Sequence, residues 1–329
     1  MESFLFAFRA VMPLVLTVAV GYVLKRIGLI NGTVSQALNR LVFRVFLPVM
    51  LFLNVYRIEQ FSLTAIGYIG YVLGVVAVVF CLLLPTVCLF TKDGRKRGVL
   101  LQGSFRSNFA LIGIPLAASI AGEPGVLTAT LLSAVVVPLY NVLSVISLSL
   151  FGDGEKRPRA GRIVLDILKN PLIDSIALGF VFLGLRVLLG RCGIAFRPES
   201  VTVVWSVLED LGALATPLAL LTLGTQFEFS AIKKQKRELI FALVMRLVIL
   251  PLIGIGTAYL FFADCFDGGQ FAVLVAIFAT PVAVSSVPMT QEMGGDSALA
   301  GQIVVFTTLF SVLSVFLSCF LLKQAGIFG

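Results

Sequence analysis

The sequence predicts an all-α polytopic membrane protein: ten transmembrane helices form two inverted five-helix repeats, with broken crossing helices four and nine. Composition is the first observation. The 329 residues are 59% hydrophobic and 13% charged, with a mean hydropathy of +1.05, so the chain cannot present an ordinary polar surface to water. The second is a series of apolar runs of spanning length. The third is a set of prolines that recur at matched offsets in the two halves.

The apolar runs give the limits of ten spans. The first run carries no small-residue cleavage site and is long enough to cross the bilayer, so it predicts a helix and not a signal peptide. The loops are short, and no soluble domain is expected. The ten predicted spans are residues 4–25, 38–56, 64–90, 98–121, 126–150, 163–190, 201–226, 238–262, 270–291 and 298–322.

A polar segment divides the spans into two groups of five. Residues 151–162, FGDGEKRPRAGR, separate a first repeat at 1–150 from a second at 163–329. Because five is odd, the second repeat enters the membrane from the opposite face, which gives an inverted repeat. Segment 151–162 is then a cytoplasmic linker.

Basic residues predict the orientation. Fifteen lie near the loops after spans one, three, five and seven, against three in the opposite loops. The first set of loops should therefore face the cytoplasm, with both termini outside. The sequence pI of about 9.4 arises from these loops, so the expected partner is the lipid bilayer and not nucleic acid.

Three proline pairs share nearly one offset. Proline in a spanning helix removes a hydrogen-bond donor and clashes with the preceding turn. Helices broken at matching positions of two repeats indicate a substrate site of a transporter. The offset is 166 residues for two pairs and 169 for the third, in the order Pro85 and Pro251, Pro115 and Pro281, Pro48 and Pro217.

Span four contains the stretch GSFRSNFALIGIP, residues 103–115. We expect Gly113 and Pro115 to break the helix, so that its second half begins near Pro115 with free N–H groups that attract an anion. Asn108 would then contact substrate, or would serve as an interhelical hydrogen bond beside a simple kink. Arg106 either binds a carboxylate or extends to the cytoplasmic edge.

Span nine contains Pro281, Ser285, Ser286 and Pro288. The repeat offset favours Pro281 as the main break, although the sequence does not decide between the two prolines. The two serines either contact substrate or bond back to carbonyls one turn earlier. We expect spans four and nine to cross each other at Pro115 and Pro281.

Other polar groups in the spans have simpler predicted roles. Arg246 is expected to extend to the membrane surface or to pair with an acid. With no histidine in the chain, proton coupling would need a carboxyl group. The five cysteines show no metal spacing, and neither a metal nor a cofactor is predicted. The acids nearest the predicted scaffold are expected to be interfacial or paired, with ion coupling as the alternative: Asp174, Glu209 and Asp210.

Several motifs together resemble the auxin efflux carrier family in its bacterial branch, which includes malate and malonate permeases. They are SNFALIGIPL, KNPLI, TPLALLTLG, ATPVAVSSVPM and GGDSALAGQIVVFTTLFS. The resemblance implies that spans one, two, six and seven form a scaffold and homodimer face, while the other six form a moving transport unit. It implies a substrate region at Asn108, Gly113, Pro115 and Pro281, with Pro48, Asn54 and Pro217 on the facing scaffold helices.

The same resemblance implies a function. It is that of a secondary transporter that moves a small organic anion, such as a dicarboxylate or an auxin-like acid, across the bacterial cytoplasmic (inner) membrane by elevator-type alternating access. The alternative is a gated channel or membrane ligand sensor on the same fold. An enzyme is not expected, because no zinc motif, paired acidic metal motif or nucleophile with a histidine base occurs.

Overall fold

The computed structural model describes residues 2–58, 66–151, 160–192, 201–227 and 234–328, and these consist of helices and their connections. The predicted linker 151–162 lies mostly outside these ranges. In chain order the helices are α1 (Glu2–Arg26), α2 (Gly32–Tyr56), α3 (Ile66–Phe90), α4 (Gly94–Phe105), α5 (Ile114–Phe151), α6 (Ala160–Leu168), α7 (Pro171–Arg191), α8 (Thr202–Gln226), α9 (Lys236–Phe262), α10 (Gly268–Phe278), α11 (Ser286–Glu292) and α12 (Ser297–Gln324).

Seven helical stretches within the described ranges are long and apolar enough to cross a membrane. One of them, Gly94–Phe151, has 58 residues, more than twice the length that one crossing needs. It folds back at Gly122, whose φ of 60° and ψ of −140° suit glycine. Gly98 consequently packs against Ser147 and Leu148. The prediction of an all-α, multi-pass membrane protein is confirmed at this level.

Three helices have a π-helical turn shortly before a proline. Because proline lacks an N–H and its ring crowds the preceding turn, a wider π-helical turn accommodates it. The partners of these prolines in the predicted pairs differ: Pro85 and Pro217 lie inside α3 and α8, and Pro281 lies in a non-helical segment. Paired prolines therefore do not share one local structure. The π-turns are Val42–Phe46 before Pro48, Phe109–Gly113 before Pro115, and Met245–Ile249 before Pro251.

The helices pack in two groups. Helices α1, α2, α7 and α8 make extensive contacts with one another. Helix α1 meets α8 where Gly21 faces the Leu221 carbonyl and Gly224 faces the Val18 carbonyl, so closely that a β-carbon at either glycine would overlap the neighbouring backbone. Small residues at such positions let membrane helices approach closely.

The second group surrounds α10. Every residue from Phe271 to Phe278 is buried, as expected of a helix that is apolar on all sides and central in its bundle. Helix α10 packs mainly on α5, while α4 contacts α3, α5, α9 and α12. This group contains both helix breaks, and the candidate site lies where they meet.

Candidate functional site

The first helix break, in the predicted fourth span, lies at Arg106–Asn108. Helix α4 ends at Phe105, and helical structure resumes at Phe109 with the π-turn before α5. The expected break at Pro115 is therefore wrong: Pro115 lies in α5, where the π-turn accommodates it. The helix opens earlier because the Asn108 N–H and the Arg106 and Ser107 side chains find partners in the other break.

The second helix break, in the predicted ninth span, covers residues 279–285. Helix α10 ends at Phe278 and α11 begins at Ser286, with Pro281 between them and Pro288 inside α11. The structure thus places the main break at Pro281, the proline that the repeat offset favoured.

The two breaks are joined directly. The Asn108 backbone N–H donates to the Pro281 carbonyl at 2.8 Å, and the Ser107 and Thr280 hydroxyls share a hydrogen bond of 2.8 Å. Non-helical backbone is tolerated at membrane depth only where its polar groups are satisfied within protein or water. The crossing point is Asn108 with Pro281, not Pro115 with Pro281.

Arg246 provides hydrogen-bond donors to backbone carbonyls at the two breaks. It is wholly buried, and its guanidinium donates to the Thr280 carbonyl at 2.9 Å, the Ile277 carbonyl at 2.8 Å and the Phe105 carbonyl at 3.3 Å. These carbonyls lie at or just beyond the C-terminal ends of α4 and α10, where the helix dipole favours a cation. The expectation that Arg246 extends to the surface or pairs with an acid is wrong, because these three carbonyls occupy its donors.

Arg106 is the second buried cation. Only 3% of the residue is exposed, so it does not extend to the membrane edge. Its Nη2 donates to Asn141 Oδ1 and to Ser285 Oγ, each at 2.8 Å, and Nη1 lies 3.2 Å from Met289 Sδ. Within the described residues no carboxylate lies within 4.0 Å of it. Its charge is solvated by neutral groups only.

Two more buried donors occur next to the bonded pair of Arg106 and Ser285, one near each residue along the chain. Asn108 Nδ2 and Ser286 Oγ are buried and have no hydrogen-bond partner among the described residues. Ser286 follows Ser285, which is bonded to Arg106. Buried donors without partners are rare and costly. A bound acceptor, such as a carboxylate, would satisfy them.

A cavity of about 200 Å³ lies between the two helix groups, at the end of α2. Asn54 from α2 lines it, as do Ala110 and Ile114, which closely follow the break in the fourth span. Its lining includes Leu51, Asn54, Ala110, Ile114, Ser133 and Ile176.

Polar contacts connect the end of the second break to α2 and α8. Arg44 Nε, in the middle of α2, lies 3.8 Å from a Glu292 carboxylate oxygen. Gln226 of α8 donates to Gln291 of α11 at 2.8 Å. These contacts join α11, which follows the second break, to the first helix group.

The remaining predicted site residues have other positions. Gly113 is buried, and a β-carbon there would lie 2.8 Å from the Ala276 carbonyl, so glycine permits the close approach of α10. Pro48 and Pro217 lie on α2 and α8, which pack on each other. None of these three side chains takes part in the hydrogen bonds that join the breaks.

Sequence reasoning missed several polar residues of this region. Asn141 holds Arg106, and Gln102 contacts Met289 Sδ at 3.2 Å and accepts from Thr290 at 3.1 Å. Their signal was present, because an amide within an apolar span usually faces the bundle interior. Arg246 carried the same signal.

Comparisons with known proteins find similarity to membrane transport proteins. The family model described as "Membrane transport protein" matches residues 6–318. An "uncharacterized transporter" from the archaeon Methanothermobacter thermautotrophicus is 23% identical over 323 residues, which covers 93% of this chain and 95% of that protein.

Proposed function

Because the chain belongs to the membrane transport protein family, we propose that it is a secondary transporter of a small organic anion. The family match also confirms the resemblance to auxin efflux carriers. The observation that carries the choice of an anion is Arg106, a buried guanidinium whose partners among the described residues are neutral.

The chemistry of the break favours a carboxylate. Arg106 offers a planar fork of donors that matches carboxylate geometry. Asn108 Nδ2 and Ser286 Oγ supply further unused donors, and a second cation, Arg246, lies behind the crossing. No acidic residue occurs between Arg106 and Pro115 or between Pro281 and Ser286. The substrate class we propose is therefore an organic acid, such as a dicarboxylate or an auxin-like acid.

The helix pairings support two inverted repeats, residues 1–150 and 163–329. If α1 to α5 correspond in order to α7, α8, α9, α10 and α12, several pairings have a counterpart after exchange of the halves. The pair α1 with α8 becomes α7 with α2, and α4 with α12 becomes α10 with α5, and all four pairs are observed. We propose that ten spans form these repeats.

Alternating access of the elevator type follows from the two helix groups. We propose that α1, α2, α7 and α8 are the scaffold, which also forms the face of a homodimer, and that the group around α10 moves past it. We further propose that the cavity beside Asn54, and the contacts that join Glu292 and Gln291 to α2 and α8, belong to a state that is open on one side only.

Transport assays in proteoliposomes test this function. We expect saturable counterflow of a radiolabelled mono- or dicarboxylate, with the matching methyl ester and amide as control compounds that bind at least about tenfold more weakly, since they lose a charge-assisted hydrogen bond. Equal binding of acid and ester would refute the anion proposal. Flux without trans-stimulation would indicate a channel, and chemical change of the compound an enzyme.

We further propose that both termini lie outside, in the inner membrane of a bacterium. The free, exposed cysteines Cys192 and Cys265 would then react with a membrane-impermeant maleimide in intact cells. A cysteine at exposed Lys92, in a protein with both native residues changed to serine, would react only after permeabilisation. Labelling of position 92 in intact cells would show that the orientation is the reverse of the one we propose.

A further inference from the structure

A basic groove lies outside the helix breaks. It is formed where α3 ends and α9 begins. Its volume is about 660 Å³. Lys234, Lys236 and Arg237 line one part of it, and Phe90 and Phe241 line another. It is a second concentration of positive charge, separate from Arg106 and Arg246.

Among the described residues, the positive charge of this groove is only partly compensated. The acid next in the chain, Glu238, is bonded to Lys96 at 2.7 Å, so its charge is shared with a cation outside the groove. The Arg237 guanidinium lies 4.5 Å from the centroid of the Phe90 ring, which stacks on Phe241 at 4.3 Å. The aromatic pair holds the guanidinium in place, and no described residue accepts a hydrogen bond from it, so its N–H groups can bind an anion.

An apolar surface continues from the groove. Ile240, Val244 and Val248 are 48%, 42% and 47% exposed, and their spacing of four residues places them on one side of α9. Leu89, at the end of α3, is 89% exposed. In a membrane protein such a surface faces lipid chains, so the basic groove lies at the headgroup end of an apolar stripe.

We propose that this groove binds an anionic phospholipid. The phosphate would contact Lys234, Lys236 and Arg237, and an acyl chain would lie along Ile240 and Val244. A small soluble anion would use only the basic part of the groove, whereas a lipid uses both parts. A zwitterionic lipid would bind less well, because its own cation offsets the phosphate charge.

Lipid titration of the purified full-length protein in detergent tests the proposal. Native mass spectrometry and thermal unfolding would follow the addition of phosphatidylglycerol, phosphatidylcholine or glycerol 3-phosphate. We expect phosphatidylglycerol to bind and to raise Tm, with an effect that weakens as salt rises. Equal effects of the two lipids would refute an anionic site, and an equal effect of glycerol 3-phosphate would identify a small-anion site instead.

Variants locate the site. Lys234→Gln, Lys236→Gln and Arg237→Gln together should weaken phosphatidylglycerol binding roughly 100-fold. The matched control replaces Lys25, Arg26 and Arg40, which are exposed and lie near a loop predicted to be on the same face, and should retain binding. If the groove variant purifies poorly, the charge-preserving set Lys234→Arg, Lys236→Arg and Arg237→Lys should still bind. Equal loss in groove and control variants, or no loss in the groove variant, would overturn the proposal.

Discussion

An Arg106→Gln protein is expected to fold at normal yield and to lose most of its affinity for an organic anion. The loss should be about 1.5–3 kcal/mol, the usual contribution of a hydrogen bond to a charged group, or roughly ten- to 150-fold in Kd. Folding should tolerate the change because the buried guanidinium has only neutral partners in the described chain, and the glutamine amide can still donate to one of them. Substrate-induced thermal stabilisation and proteoliposome uptake measure the two effects.

Two controls separate charge from structure. Arg106→Lys keeps the charge but loses the planar fork, so it should retain part of the affinity. Arg44→Gln removes an exposed arginine 3.8 Å from Glu292, and exposed ion pairs contribute little, so affinity should hardly change. Unchanged affinity in Arg106→Gln would move the anion site away from the break.

Replacement of Arg246 should lower the stability of the folded protein, whereas replacement of Arg106 should lower its affinity for substrate. Arg246→Met is expected to destabilise the folded protein by about 3 kcal/mol or more, because the Phe105, Ile277 and Thr280 carbonyls each lose a buried partner at about 1–3 kcal/mol. Relief from burying the charge opposes this loss, but the lost charge also stabilised the negative ends of two helices. Yield and Tm in detergent measure the outcome.

Arg191 provides the comparison for this variant. It is exposed at the end of α7, and Arg191→Met should leave Tm unchanged within the usual effect of a surface substitution. An Arg246→Met protein with the yield and Tm of the original chain would show that the three carbonyls do not depend on Arg246.

Hydropathy and composition predicted the membrane class because a bilayer selects long apolar runs whatever their tertiary partners. The position of a helix break follows a different rule. Pro115 indicated a break, yet the chain opens at Arg106–Asn108, where bonds to Pro281 and Thr280 satisfy it. Such bonds join residues more than 170 positions apart, so local sequence cannot locate them.

The two arginines illustrate the same limit for the site. Both are single cations in apolar spans, and the sequence left each with two alternatives: Arg106 binds a carboxylate or extends to the membrane edge, and Arg246 extends to the surface or pairs. Only the neighbours distinguish them: Arg246 bonds backbone carbonyls, and Arg106 bonds side chains. Backbone acceptors have no sequence signature, so the structural role of Arg246 could not be predicted.

The bond between the Asn108 N–H and the Pro281 carbonyl has a consequence for how such proteins diversify. Both of its atoms belong to the main chain, so almost any residue at position 108 preserves the crossing. The Asn108 side chain has no structural partner for its amide nitrogen among the described residues. If Asn108 contacts the solute, as the proposed function requires, mutation can alter this side chain while the crossing is retained, and selectivity can evolve independently of the fold.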